Sequence, residues 1–471
     1  MAETWHPQPH HLKMWEWIKE HPLAGVWAGM GLGKTSVCLT EVSELIVSGA
    51  RGALVVCPHR CGPTAWEAQV KRWKHLSWMR VANLREDPEA FERGGYEVYW
   101  LNSERLPSLD RTVKGVTRHY PGFVERFIKG KRPEELPVDI LIIDESSLAG
   151  NAKSVRFNAL RPYLHDIPGK FTTPFKRQWQ LTGTPHGGSY QKIFAQIRLL
   201  DPTVFGRSFH QWRQSHFDSD YMGFNWELKP GAKDRIDAKL ADLCLVMRSE
   251  DYLDLPDCTI EDLDVTLPAA VAKDYRRLEK DMLLKLAEGD VTALSAAALT
   301  TKLLQATGGC LYTEDGGTAV LHDAKLKALQ KLIKSFKGEP AIVVAQYIHE
   351  RKRLMAEVPG AVEFHEKRIP DWVDGKIKVM IAQVNQMAHG IDGMQLGGRR
   401  IVWYSPPWSW ELYKQLIKRL HRPGQTEEVF VYRLLATDTI DWAVAQTLKD
   451  KEDGENGLFS ALEVLQRMRD S

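Results

Sequence analysis

Apolar residues along the chain fall into short runs, and each run is followed by a turn and by a segment whose apolar positions recur at helical spacing. This alternation predicts parallel strands that are covered by helices on both faces of a sheet. Four runs precede the middle of the chain and four follow it, so we expect an α/β fold with two parallel-sheet lobes. The predicted strands are residues 53–57, 98–101, 139–143, 179–181, 341–345, 379–382, 400–404 and 429–434.

The middle of the chain loses this rhythm. Residues 186–325 show mainly helical spacing, most clearly at 269–286 and 292–305, and predict helical insertions between the lobes. Pro256 and Pro268 interrupt helical continuation and mark the lobe boundary. The predicted domains are an N-terminal lobe over residues 1–255 with a helical insertion from about residue 186, a helical bridge with the C-terminal lobe over 256–448, and a tail helix over 449–471.

Charge and composition exclude some classes of protein. The 63 basic and 61 acidic residues of the 471-residue chain nearly cancel, so a nucleic-acid surface would be a local concentration of charge. No stretch approaches the roughly 20 apolar residues that span a bilayer, and we expect no membrane partner. Cys57 and Cys61 lack a second pair at zinc-site spacing, which favours reduced thiols over a metal site.

A glycine-rich segment follows the apolar run at residues 23–28. Glycines let consecutive backbone N–H groups point at phosphate oxygens, Lys34 supplies a cation for the outer phosphates, and Thr35 can ligate magnesium. Ala28 replaces the first glycine of the strict phosphate-loop pattern. The segment alone predicts a phosphate-binding loop with magnesium, against the alternative of a structural turn. Taken with the motifs below, the residues predicted to bind ATP here are Gly29, Met30, Gly31, Leu32, Gly33, Lys34, Thr35 and Ser36.

Two carboxylates follow the strand predicted at residues 139–143. Asp144 could hold magnesium through its water shell, and Glu145 could orient and deprotonate an attacking water. Taken alone, the pair is as consistent with a solvated turn as with catalysis. Because it follows a phosphate loop in the same lobe, we interpret the pair as part of a hydrolysis site.

Thr182, Gly183 and Thr184 close another predicted strand, and Pro185 follows them. The two hydroxyls could sense the catalytic carboxylates and transmit that state to neighbouring elements. In isolation, the segment is more typical of an ordinary Gly-Pro turn.

An arginine-bearing helix is predicted near the end of the chain. Gln415, Arg419 and Arg422 follow one another at spacings of four and three residues, so they project from one side of a helix. The planar fork of arginine neutralises charge on a transferring phosphoryl group, as an arginine finger does. A basic, solvated helix is the alternative. Placement in a second lobe predicts that hydrolysis requires closure of both lobes.

These four elements in this order resemble the superfamily-two helicases, and specifically the Swi/Snf-type DNA translocases. The resemblance runs from about residue 10 to about residue 442. It implies two RecA-like lobes, ATP and magnesium as cofactors, and DNA as the partner. The segments that carry it most clearly are residues 30–35, 55–58, 181–185 and 415–425, the last followed by 429–434.

The resemblance also implies roles outside these motifs. His11 stands where the family has an adenine-reading glutamine, unless Gln8 takes that role, and Gln415 joins the predicted ATP-binding residues. Gly390 and Asp392 resemble the motif that couples the second lobe to DNA and ATP. A serine pair after Glu145 departs from the family pattern and should affect coupling more than hydrolysis. Candidate contacts to DNA phosphates, against the default of a solvated basic face, are Ser103, Arg105, Lys153, Arg156 and Arg161.

The sequence thus predicts a DNA-stimulated ATP hydrolase that moves along duplex or branched DNA. One alternative is a strand-separating helicase acting on branched DNA or RNA. Another is a nucleotide-switched scaffold that recruits a nuclease or replication partner. The compact chain without recognisable accessory modules favours a bacterial or bacteriophage source, and hence the cytoplasm of a bacterium or infected host over a nucleus.

Overall fold

A computed structural model describes residues 2–113, 116–167, 171–186, 189–219, 226–287, 293–313, 316–387, 391–407 and 409–452. The chain forms two compact units. The first comprises residues 1–218 and 228–253, and the second comprises residues 219–227 and 254–471. Among the described residues, no helix combines the length and the apolar character needed to cross a membrane.

The first unit is built on a seven-stranded sheet. The strands up to residue 247 are Leu23–Ala28 (β1), Ala53–Cys57 (β2), Val81–Asn83 (β3), Val98–Asn102 (β4), Leu109–Val113 (β5), Val116–Tyr120 (β6), Ile140–Asp144 (β7), Arg177–Thr182 (β8), Phe217–Ser219 (β9), Trp226–Leu228 (β10) and Cys244–Met247 (β11). The sheet has the order β11-β1-β8-β7-β2-β4-β3, and neighbouring strands are parallel. Strands β1, β2 and β7 are mainly apolar and buried, as is typical of a sheet that helices cover on both faces.

Helices pack on this sheet, while β5 and β6 form a separate antiparallel hairpin. The helices up to residue 240 are Pro9–Glu20 (α1), Lys34–Val47 (α2), Ala68–Arg72 (α3), Ala90–Arg93 (α4), Phe123–Phe127 (α5), Val155–Leu160 (α6), Gln191–Leu200 (α7), Phe209–His216 (α8) and Ala232–Leu240 (α9). Two apolar clusters form the core. One includes Trp66 and Trp179, and the other includes Phe91 and Phe157.

The second unit contains a six-stranded parallel sheet. Its strands are Cys258–Val265 (β12), Ala341–Ala345 (β15), Ala361–Glu363 (β16), Val379–Gln383 (β17), Arg400–Trp403 (β18) and Val429–Ala436 (β19), with Cys310–Tyr312 (β13) and Thr318–Val320 (β14) forming a small hairpin. The spatial order is β12-β19-β18-β15-β17-β16. The helices are Ala269–Ala287 (α10), Ala293–Gly308 (α11), Ala324–Ser335 (α12), Ile348–Glu357 (α13), Ile369–Val373 (α14), Val384–Met387 (α15), Trp410–Leu420 (α16) and Ile440–Glu452 (α17).

The predicted α/β fold with two parallel-sheet lobes is confirmed, and each of the eight predicted strands is present. The prediction of a mainly helical segment at residues 186–325 was wrong in part, because it contains two strands of the large sheets. β11 belongs to the seven-stranded sheet, and β12 belongs to the six-stranded sheet. Both are edge strands. β12 alternates between covered and exposed positions, so it lacks the continuous apolar run that marks a central strand. The predicted tail helix overlaps α17 up to Glu452, and its remainder lies outside the described residues.

Candidate active site

The glycine-rich segment of the first unit connects β1, which ends at Ala28, to α2, which begins at Lys34. Gly31 and Gly33 have φ of 85° and 76°, a left-handed conformation that strains other residues. The first N–H groups of α2 have no partner within the helix, and left-handed residues direct successive N–H groups towards a common anion site. This geometry fits phosphate at the start of α2.

Two side chains hold this loop. The Lys34 ammonium donates to the carbonyl oxygens of Ala28 at 2.6 Å and Gly29 at 3.2 Å. The Ser249 hydroxyl donates to the carbonyl of Met30 at 2.9 Å, and a Cβ at Gly29 would overlap the Ser249 Oγ. Gly29 is therefore needed for this close approach. Sequence reasoning missed Ser249, because a serine more than 200 residues from the loop gives no local signal.

Asp144, the last residue of β7, lies near Lys34. Its carboxylate accepts hydrogen bonds from the Trp66 indole and from the Glu145 backbone N–H, each at 3.0 Å. Burial raises the pKa of Asp144, and the Trp66 hydrogen bond and the positive charge of Lys34 partly oppose that rise. A cation at this carboxylate would favour its ionised form further.

The residues fit magnesium together with a nucleotide. In the part of the chain that the structure describes, the Thr35 hydroxyl makes no hydrogen bond to protein. The described residues contain no group of three or more His, Cys, Asp or Glu side chains that could hold a metal. A few protein oxygens completed by water and phosphate are typical of magnesium. Thr35 and Asp144 would hold the ion, which would neutralise phosphate charge, and residues 29–35 would hold the phosphates.

Glu145 adopts an unusual backbone conformation. Its φ of 53° is left-handed, which is uncommon for residues other than glycine and costs on the order of 1–3 kcal/mol. It immediately precedes the short helical turn Ser146–Ala149. Strain at a carboxylate predicted to orient water indicates a functional constraint on its direction.

The predicted coupling turn lies beside the phosphate loop. Thr182 and Thr184 are buried, and the Thr184 N–H donates to the Thr182 Oγ1 at 3.1 Å. A Cβ at Gly183 would lie 3.5 Å from the Met30 side chain and 3.6 Å from the Ala28 carbonyl oxygen. The turn is thus within van der Waals reach of the phosphate loop, and its role in sensing the carboxylates stays a prediction.

A buried glutamine connects the acidic pair to this turn. The Ser146 hydroxyl donates to Gln196 Oε1 at 2.8 Å, and Gln196 Nε2 donates to the Pro185 carbonyl at 2.5 Å. Ser146 follows Glu145, and Pro185 follows Thr184. Sequence reasoning noted the serine as a departure but did not find Gln196, which lies in an amphipathic helix where nothing marks one polar position as special.

His11 and Gln8 lie near the phosphate loop in the first turn of α1. The Gln8 backbone N–H donates to His11 Nδ1 at 3.0 Å, and a Cβ at Gly33 would overlap His11 Nε2. Burial, assisted by the neighbouring His10, lowers the pKa of His11 to about 4. The ring is therefore neutral near pH 7 and carries its proton on Nε2. An adenine-reading role for either residue stays a prediction.

Ser36 was also predicted to bind ATP, but its hydroxyl forms hydrogen bonds with other side chains of the first unit. This hydroxyl donates to Gln69 Oε1 at 2.8 Å and accepts from the Trp73 indole at 3.1 Å. The side chain is buried. Its backbone N–H, in the first turn of α2, is the group suited to meet a phosphate.

Arg419 lies in the last turn of α16, whereas Arg422 lies beyond the end of that helix at Leu420, so the prediction that one helix carries both was wrong for Arg422. Both arginines nevertheless contact the same short segment. Arg419 Nη1 donates to the Ile391 carbonyl at 2.7 Å, and Arg422 Nη1 donates to the same oxygen at 3.3 Å. Arg422 also forms an ion pair with Asp392 at 3.4 Å. The residues predicted to act as arginine fingers therefore contact the predicted coupling segment at Ile391 and Asp392. Gly390 lies outside the described residues.

The turn after these arginines is fixed by Gln425. Its amide donates to the carbonyls of Gln395 and Gly398, each at 3.1 Å, and its Oε1 accepts from two following backbone N–H groups. Gln415 is buried in α16, and its amide finds no hydrogen-bond partner within the described ranges. Its predicted contact with ATP stays a prediction.

The five candidate DNA contacts differ in exposure. Arg156 forms an ion pair with Glu104 at 3.0 Å. Ser103 is buried, so its hydroxyl lies below the surface, and a direct contact with DNA is not supported for it. The exposed candidates are Arg105, Lys153 and Arg161.

Known proteins resemble this chain over most of its length. Protein p41 of Acyrthosiphon pisum secondary endosymbiont phage 1 is 27% identical, with 98% of this chain and 99% of that protein covered. DNA repair and recombination protein RAD54 of Oryza sativa subsp. japonica is 24% identical over 90% of this chain, which spans 47% of the rice protein. The SWI2/SNF2 ATPase core of Sulfolobus solfataricus in complex with dsDNA is similar at a TM-score of 0.44 and 18% identity, covering 96% of this chain and 92% of that one.

The sequence model of the SNF2-related domain matches residues 14–310, more than half of the chain. The matched part contains the phosphate loop, the Asp144–Glu145 pair and the Thr182–Thr184 turn described above. From this match, the chain belongs to the SNF2-related family and is an ATP-hydrolysing enzyme.

Proposed function

We propose that the chain is a DNA-stimulated ATPase that moves along duplex or branched DNA, and that it works in the cytoplasm of a bacterial or phage-infected cell. The observation that carries the proposal is the anchoring of Arg419 and Arg422 on the segment at Ile391 and Asp392. A segment that positions both arginines can change hydrolysis whenever its own conformation changes. The hydrolytic carboxylates belong to the other unit, so turnover would depend on groups from both.

A relative supports the choice of DNA. The rice relative is a DNA repair and recombination protein. In this chain, Arg105, Lys153 and Arg161 offer exposed positive charge in the unit that carries the phosphate loop. Contacts of this kind to phosphates give salt-sensitive binding that does not depend on sequence.

ATP turnover measured with single-stranded DNA, duplex DNA, forked DNA and RNA tests the proposal. We expect duplex or forked DNA to raise turnover about tenfold or more, and Lys34→Ala and Glu145→Gln to lower it on the order of 100-fold or more. Lys71→Ala and Glu89→Gln, at exposed positions, are the matched controls and should behave as wild type. Turnover that DNA leaves unchanged would contradict the proposal.

Two further assays distinguish the proposed motion from its alternatives. A translocase displaces the third strand of a triplex without separating a forked duplex, whereas a strand-separating helicase unwinds the fork. A nucleotide-switched scaffold would retain its action on DNA in Glu145→Gln, which should bind nucleotide but not hydrolyse it. We expect triplex displacement by wild type and none by that variant.

A further inference from the structure

An exposed hairpin, formed by β5 and β6, extends from the first unit. It follows the turn Ser103–Arg105 at the carboxyl end of β4. Ligands of open parallel sheets bind at the carboxyl ends of the strands. Every hairpin side chain whose burial the structure describes is exposed, at residues 109–112 and 117–120. The hairpin thus adds nothing to the core and needs another explanation.

One face of the hairpin satisfies its own polar groups. Asp110 lies opposite His119, and its Oδ1 accepts from His119 Nδ1 at 2.7 Å. Glu125 in α5 accepts from His119 Nε2 at 2.9 Å, and these two carboxylates raise the pKa of His119. Further along, the Thr112 and Thr117 hydroxyls are 2.8 Å apart. The polar side chains of this face therefore bond to one another, and the hydrogen bond between His119 and Glu125 connects the hairpin to α5.

The opposite face is not paired in this way. Arg111 lies directly opposite Arg118, although like charges in facing positions destabilise a strand pair. Neither arginine forms an ion pair with any residue that the structure describes, whereas many surface arginines of this unit do. Leu109 and Tyr120 face each other beside them, 44% and 48% exposed, and the Arg111 guanidinium lies 5.7 Å from the Tyr120 ring centre.

We propose that this face, formed by Leu109, Arg111, Arg118 and Tyr120, binds the phosphate backbone of the DNA on which the enzyme acts. The inference rests on the proposed function. An anion between two facing guanidiniums turns their repulsion into attraction, and the arginine fork suits phosphate oxygens. A two-stranded ribbon also fits the major groove of duplex DNA. Tyr120 and Leu109 would pack against the sugars that the phosphates join.

Charge argues against an apolar protein partner. A protein interface is depleted of charge at its centre, whereas two of the four side chains that form this face carry like charges. The paired opposite face shows that this hairpin can neutralise a charged side chain internally. The two arginines are therefore arranged for a ligand that supplies negative charge from outside.

Equilibrium binding of a fluorescent duplex to the full chain, measured at several salt concentrations, tests the inference. We expect Arg111→Ala/Arg118→Ala to weaken binding roughly tenfold or more at 0.1 M salt, and to reduce the slope of log K against log salt by about two, because each phosphate contact contributes roughly 0.9. Arg111→Lys/Arg118→Lys should retain most of that slope, because the charges remain. Thermal unfolding shows whether each variant is folded.

Two double variants serve as controls. Thr112→Val/Thr117→Val changes the paired face and leaves every charge in place, so it should bind as wild type. Arg85→Ala/Lys129→Ala removes two exposed positive charges elsewhere in the unit and should have a smaller effect. Equal weakening by this pair and the arginine pair would indicate a net-charge effect and overturn the inference. Unchanged affinity and slope in the arginine variant would overturn it too, and would leave a protein partner for the hairpin.

The outcomes also separate the inference from the proposed function. If DNA stimulates wild-type turnover and the arginine variant binds as wild type, the hairpin inference fails alone. If DNA neither binds to wild type nor stimulates its turnover, the proposed function fails and takes the inference with it.

Discussion

Ser146 donates a buried 2.8 Å hydrogen bond to Gln196, which in turn holds the carbonyl of Pro185. Through these atoms, the segment that carries the predicted catalytic acids is tied to the end of the predicted coupling turn. Both Gln196 and Ser146 are completely buried, so a change in either segment must be accommodated by the other. We interpret Gln196 as a positioning residue.

Gln196→Leu is expected to lower DNA-stimulated kcat about tenfold with little change in the KM for ATP. The substitution leaves the Ser146 hydroxyl and the Pro185 carbonyl without their buried partner, a loss worth about 1–3 kcal/mol for each group. Steady-state turnover with and without DNA measures the effect. Gln180→Leu, which removes a 2.9 Å bond to the Gln196 backbone but keeps the side-chain link, should lower stability more than kcat. If Gln180→Leu lowered kcat as much as Gln196→Leu, the positioning role of Gln196 would be contradicted.

Arg419→Lys and Arg422→Lys should each reduce ATP turnover on the order of 100-fold or more. Lysine keeps the charge but loses the fork that holds the Ile391 carbonyl and spreads charge over a phosphoryl group. Affinity for a fluorescent ATP analogue should change far less, because the phosphate loop belongs to the first unit. Lys418→Ala, next to Arg419 in α16, is the control. Wild-type turnover in the lysine variants would exclude an arginine-finger role.

His11 should give nucleotide binding little dependence on pH between 6 and 8. Its pKa of about 4, lowered by burial, keeps the ring neutral throughout that range. Because a neutral imidazole here offers one N–H donor where the family glutamine offers an amide, we expect His11→Gln to raise the preference for ATP over GTP. Competition binding of the two nucleotides to wild type and variant measures the change. An identical preference in both proteins would show that His11 does not contact the base.

The sequence alone predicted the two lobes and the strand-terminal motifs, because both follow from local patterns. An apolar run before glycines, or before Asp144, can be recognised within ten residues. The contacts of Ser249 and Gln196 could not be predicted, since they depend on which strands and helices become neighbours. The sequence also did not show which candidate side chains are exposed. Ser103 lies in the same turn as the exposed Arg105, but its hydroxyl is buried. The edge strand β12 escaped detection because exposed positions alternate with covered ones along it.

Glu350 should make the stability of the second unit depend on pH. It is buried beside Ser405, whose hydroxyl donates to its Oε1, while the backbone N–H groups of Gln346 and Tyr347 donate to its Oε2, each at 3.1 Å. Burial raises the pKa of Glu350 to about 7, although these hydrogen bonds and the charge of Lys325 oppose the rise.

The folded protein thus binds more protons than the unfolded chain between the ordinary glutamate pKa and about 7, so its stability should fall as pH rises through that window. At about 1.4 kcal/mol for each pKa unit, the loss is on the order of 3 kcal/mol. Glu350→Gln can accept both backbone hydrogen bonds without ionising, so its melting temperature should exceed that of wild type at pH 8 and approach it at pH 5. Glu363→Gln, at an exposed carboxylate, should follow the wild-type profile. Parallel profiles for wild type and Glu350→Gln would show that Glu350 does not titrate in this range.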